Sequence, residues 1–97
     1  MPGRRDADAL LIDAILGGDA SGVRRALAAG ADANAILGGS ETVLMRAVPA
    51  ERGDEMVRML LARGARVDQT DDMGRTALHH AACAGRLEVA RALLERG

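Results

Sequence analysis

The chain repeats itself, and that feature constrains its fold more than any other. The string Gly-Ala-Asp-Ala-Asn at 30–34 returns as Gly-Ala-Arg-Val-Asp at 64–68, a shift of 34 residues. Twelve residues after each leading glycine stands a threonine, Thr42 and then Thr76; a leucine follows two later, Leu44 or Leu78, and an alanine three beyond that, Ala47 or Ala81. A unit this short cannot bury an apolar face alone, so successive units must stack and share one continuous core.

The second half of the unit is set by counting back from the glycines. Val23 and Leu27 precede Gly30; Met56, Val57, Leu60 and Leu61 precede Gly64; Val89, Ala90, Leu93 and Leu94 precede Gly97. Spacings of three and four are those of one helix face. Gly64 to Gly97 is 33 residues against 34 for the previous pair, and the extra residue falls at 49–53, between two helices, where an insertion is cheap. Each unit therefore reads as turn, short helix, turn, longer helix, glycine. Thr42 and Thr76 stand where a hydroxyl can cap a helix N-terminus, and Gly30, Gly64 and Gly97 where a helix ends in the left-handed conformation.

Composition narrows the class. With 97 residues there is one core, and its 48% hydrophobic residues include no Phe, Tyr or Trp. Leu, Ile, Val, Met and twenty alanines must fill it. Small side chains suit closely spaced helices; the missing aromatics argue against a sheet core and against stacking on single-stranded bases. Thirteen arginines oppose fourteen acidic residues for a net charge of −1, which gives no field to draw the chain to nucleic acid or an anionic membrane. No apolar run approaches a membrane span, residues 1–8 lack the apolar stretch of a secretory signal, and a single cysteine cannot close a disulfide. The expectation is a soluble protein of the cytoplasm with no cofactor, no nucleic-acid partner and no membrane partner.

The third unit carries a specific resemblance. Asp71-Asp72-Met73-Gly74-Arg75-Thr76-Ala77-Leu78-His79-His80-Ala81-Ala82, then Gly85, Leu87, Glu88, Val89, Leu93 and Leu94, resembles an ankyrin repeat, with Ala77 in place of the family's proline. The segment at 30–34 matches the family's Gly-Ala-Asp-x-Asn fully. The second unit departs more, with Val43, Met45 and Arg46 replacing the proline, histidine and small apolar residue. Residues 8–30 resemble an N-terminal capping repeat through Leu11, Ala14, Val23 and Leu27. A tetratricopeptide array shares the 34-residue period but relies on large aromatics. The resemblance implies an all-α, ankyrin-type helix-turn-helix solenoid with β-hairpin-like finger loops: residues 1–7 disordered, a capping repeat at 8–36, a second repeat at 37–70, and a third at 71–97 truncated before its finger. Alanines 14, 47, 81 and 82 are expected at the tight helix contacts.

The resemblance also implies a function: non-enzymatic binding of a partner protein, as adaptor, scaffold or inhibitor, through finger tips and the exposed face of the inner helices. Carried over position by position, the candidates are Thr70, Asp72, Met73, Arg75, Cys83 and Ala84 in the third unit and Ile36, Gly38, Gly39, Glu41, Pro49 and Ala50 in the second. Met73 and Arg75 offer the strongest anchoring chemistry, a flexible apolar contact beside a planar charge.

Other chemistries fit less well. His79, His80 and Cys83 share one helix, but two or three ligands do not complete a zinc site unless Asp71 or Asp72 joins them, and the resemblance makes His79 a structural histidine. His79 or His80 could approach the Cys83 sulfur, but no oxyanion-forming loop is evident, and Cys83 reads as an ordinary free cysteine. Gly-Gly-Ser-Glu-Thr at 38–42 lacks the lysine of a phosphate loop. Asp54 with Arg58, Glu88 with Arg91 and Arg91 with Glu95 have the spacing of solvated intrahelical ion pairs, whereas Arg24 and Arg25 have no partner within a turn and are free to meet an acidic surface. The apolar edge at 87–94 has no polar cap, which leads to two expectations: self-association there, or membership of a longer array serving a larger protein as a structural or regulatory domain.

Overall fold

The computed structural model describes residues 4–96. Its elements are α1 (Arg4–Leu16), α2 (Ala20–Ala28), β1 (Ile36–Gly38), β2 (Glu41–Thr42), α3 (Val43–Ala47), α4 (Gly53–Ala62), α5 (Ala77–Ala84) and α6 (Leu87–Arg96). Helices pair as α1/α2, α3/α4 and α5/α6. The first members stack in one row, α1 on α3 on α5, and the second members in another, α2 on α4 on α6. The result is a helix-turn-helix solenoid 38 Å long and 24 by 22 Å across.

Local chemistry sets the boundaries. Thr42 Oγ1 accepts from Met45 N–H at 3.2 Å and opens α3. Thr76 opens α5 as a capping box in which His79 takes the place usually held by Glu or Gln: its Nδ1 accepts from Thr76 N–H at 3.1 Å. At the ends of α2 and α4, Gly30 and Gly64 have φ of 99° and 88°, so a side chain at either would be strained. Ala31 N–H reaches back to Ala26 O and Ala65 N–H to Leu60 O, both at 3.0 Å, and Gly30 and Gly64 donate to Leu27 and Leu61. These bonds form a Schellman motif. The same pair of bonds closes α1 at Gly18 and α5 at Gly85. Gly97 lies outside the described residues.

Among the described helix ends, only that of α3 is built otherwise. Pro49 has no N–H to continue the helix and no glycine follows at the matching position, so the chain leaves through shorter turns, Val48 to Met45 and Ala50 to Ala47. This is where the sequence carries its extra residue, and α3 is five residues long against eight for α5.

The core runs unbroken through all three pairs, from Leu11, Ile15, Val23 and Leu27 through Leu44, Met56 and Leu60 to Val89 and Leu93. Each fully buried Leu or Val in it contributes roughly 1.5–3 kcal/mol. Ala14, Ala47 and Ala81 are buried at helix contacts as expected, but Ala82 is exposed: no further unit lies against its face among the described residues.

The N-terminus differs from expectation. Residues 4–7 continue α1 instead of being disordered, and Ala7 is fully buried. Their apolar contribution is one alanine, too little to stand out in the sequence. Residues 1–3 lie outside the described part. Asp8, one residue on, fixes this helix to the turn after α2 by accepting from Asp32 N–H at 2.7 Å.

Gly53, at the start of α4, packs against the end of α3 so closely that a Cβ there would lie 2.5 Å from Ala47 O and 2.7 Å from Val48 O. Both obstacles are backbone. Gly53→Ala is expected to lower the unfolding free energy by about 1–3 kcal/mol, although Gly→Ala in a helix is ordinarily stabilising. Urea denaturation beside Glu51→Ala, an exposed control, checks this.

Candidate protein-binding surface

The two complete fingers are built differently. In the second unit β1 and β2 pair antiparallel, Ile36 opposite Thr42 and Gly38 opposite Glu41, with an irregularity between. The Gly-Gly-Ser segment is thus a hairpin turn. Glu41 holds Arg46 with two bonds, Arg46 Nε at 3.0 Å and Nη2 at 2.8 Å, which raise the guanidinium pKa further and tie the finger to the inner helix.

The finger that leads into α5 is organised by Asp71. Its Oδ1 accepts from the N–H groups of Met73 and Arg75, both at 2.9 Å, and its Oδ2 accepts from Arg75 Nε and from His80 Nε2, both at 3.0 Å. The backbone closes the same loop, Asp71 N–H to Arg75 O and Gly74 N–H to Asp71 O. These donors, the Arg75 N–H foremost and then those of Met73, His80 and the Arg75 side chain, lower the Asp71 pKa from 3.8 to about 2, against a smaller opposing effect of burial. Met73 is left at the tip, 75% exposed.

An open cleft of about 380 Å³ lies between the fingers, lined by Gly38, Ser40 and Glu41 on one side and by Asp71, Asp72, Met73 and Arg75 on the other. The fingers touch: a Cβ on Gly39 would meet Asp72 Oδ2 at 3.2 Å. Five of the sequence-derived residues, Gly38, Glu41, Asp72, Met73 and Arg75, therefore meet in one place. Thr70 is exposed outside the cleft lining, and Cys83 and Ala84 are exposed at the far end of α5, about 10 Å of helix away from its start.

Pro49 and Ala50 line a second depression with Leu16, Arg46 and Arg52. Arg46 belongs to both regions, since Glu41 holds its head group. Leu16, 54% exposed at the end of α1, was missed by sequence reasoning. The signal was present: Leu16, Pro49 and Cys83 stand at shifts of 33 and 34, as do Gly17, Ala50 and Ala84. The register places Leu16 in the same row as candidates already chosen.

The charges fall out differently from the sequence expectation. None of the three intrahelical pairs forms among the described residues; Arg58 instead meets Glu88 across units at 4.0 Å. Arg24 is not free but lies 3.5 Å from Glu55 of the next unit, and Arg25 lies 3.9 Å from Asp19. Helix spacing gives neighbours on one helix, whereas stacking brings residues about 30 apart within reach. His79 and His80 are engaged by Thr76 and Asp71, and no group of three or more His, Cys, Asp or Glu able to hold a metal occurs among the described residues. No described helix is long and apolar enough to cross a membrane.

Residues 11–97 match a protein family described as ankyrin repeats, in three copies. The chain belongs to the ankyrin repeat family. The ankyrin fold generally mediates protein–protein interaction, and proteins of this family are typically non-catalytic scaffolds.

Because the folded-state pKa of Asp71 lies below its unfolded value, its contribution to stability is complete above pH 3.8 and is lost as pH falls through about 2. Asp71→Asn, which keeps an acceptor for the backbone but no charge for Arg75 and His80, is expected to be less stable than the parent at pH 5–7. The gap should close between pH 4 and pH 2. Thermal unfolding across that range tests the sign.

Proposed function

We propose that this chain is a cytoplasmic protein-binding module whose contact surface runs from the finger cleft along the inner-helix face to the depression at Leu16, Pro49 and Ala50. The observation that carries this reading is Met73, a large apolar side chain held exposed at the tip of a finger whose shape Asp71 fixes from within. Exposed apolar groups rimmed by polar ones mark contact sites. Arg75 and Glu41 spend much of their charge on Asp71 and Arg46, so the affinity rests on Met73 and Leu16, with Asp72 supplying a carboxylate beside them. The partner surface this suits is one with an apolar pocket beside a basic group.

Affinity capture from a lysate followed by mass spectrometry identifies a partner, and titration calorimetry then measures it. Met73→Glu and Leu16→Glu, both at exposed positions, are expected to weaken that partner by about tenfold or more each, as truncating an anchor does. Unchanged affinity for both variants would exclude this surface.

A further inference from the structure

The two ends of the solenoid are complementary to each other. Aligning the three units makes this visible, because each stacking position can be followed from one unit to the next. On the outer helices, Leu27, Leu61 and Leu94 occupy one register position; the first two are 3% and 4% exposed and the third 64%. Val23 and Val57 are fully buried, whereas the equivalent Ala90 is only partly buried. On the inner helices Ile15 and Val48 are buried and Ala82 is open. These positions are covered wherever another unit follows, so the open face of α5 and α6 is a stacking surface. Leu87, one heptad before Leu94, is 78% exposed as well.

The opposite end shows the converse. Val43 and Ala77, Ala47 and Ala81, Met56 and Val89, and Leu60 and Leu93 are all buried in the second and third units. Their equivalents in the first unit are Leu10, Ala14, Gly22 and Ala26, which line an open groove of about 490 Å³. Three of these four are Ala or Gly, whose small side chains leave the groove open. Leu10 on its wall is 54% exposed.

Charge follows the same register. Arg24 meets Glu55 of the next outer helix and Arg58 meets Glu88 of the one after. Arg91 is the third arginine of that row, with no ion pair among the described residues. The position that would face it in a first unit is Ser21, and Asp13 and Asp19 rim the groove close by. A net charge of −1 adds little repulsion between copies.

We infer that a second copy of this chain is the occupant: the α5/α6 face of one copy stacks into the α1/α2 groove of another, continuing the internal unit-to-unit interface between molecules. Such a contact uses two different surfaces, so it is head-to-tail and open-ended, or closes only as a ring. It lies on the end faces, away from the finger cleft, and stands or falls independently of the partner proposed above.

Sedimentation equilibrium over a concentration series tests it. The parent chain is expected to rise past the mass of a dimer with concentration. Leu94→Glu and Ala82→Arg block one end, Leu10→Glu and Asp13→Arg the other; all four alter exposed positions, and circular dichroism identifies those that keep the helical fold. Each folded variant alone is expected to stay monomeric, or nearly so. A mixture of one variant from each end is expected to give a heterodimer, because each retains the face its partner needs. A parent chain that stays monomeric into the millimolar range overturns the inference, as does a plateau at the dimer, a variant of one end that associates as the parent does, or a mixture that remains monomeric.

Discussion

The structure depends first on how close the two helices of a unit come. At Gly22 an added Cβ would lie 2.9 Å from the Ala14 Cβ, and at Gly53 it would run into the carbonyls that end α3. Ala47 and Ala81 keep the same narrow spacing on the inner row. A thin helix pair is a flat plate, and flat plates stack with their neighbours in register. A single large aromatic between the paired helices would thicken one plate and shift every finger beyond it. The absence of aromatics from this chain is thus a condition of its geometry as well as a fact of its composition.

Polar groups then fix the order in which the plates stack. The Asn34 side chain spans two units, donating from Nδ2 to Gly64 O at 3.3 Å and accepting from Arg66 N–H at 2.8 Å. Arg63 Nη1 reaches Leu27 O at 3.1 Å, beside the bond that carbonyl accepts from Gly30 N–H, and Arg86 Nη2 reaches Pro49 O at 2.8 Å, just past the end of α3. Apolar contacts between leucines tolerate sliding; these directional bonds do not. No described buried side-chain polar atom lacks a partner.

Much of this was legible in the sequence, and the parts that were not share a cause. The helix boundaries at Thr42, Thr76, Gly30 and Gly64 were readable because capping chemistry is local and recurs in phase. The finger position of Met73 followed from the resemblance. Asp71 was weighed only as a metal ligand, because nothing in its immediate sequence announces a bond to His80 nine residues on. Arg24 and Arg58 were misread for the same reason: their partners lie one unit away, and helix spacing does not contain that distance. Leu16 was recoverable by carrying the register one unit further, whereas Ala7 was not, since one buried alanine leaves no pattern.

The clamp around Asp71 bears on how quickly and selectively a finger can act. A loop that must find its shape on contact loses backbone entropy of about 1–2 kcal/mol for every residue it orders. Here six backbone and side-chain bonds have already set that shape, so little beyond the Met73 and Asp72 side chains is left to settle. In the contact proposed above the finger is a rigid probe with a soft tip: the backbone would impose where contact can occur, and the thioether would adapt to what it finds there.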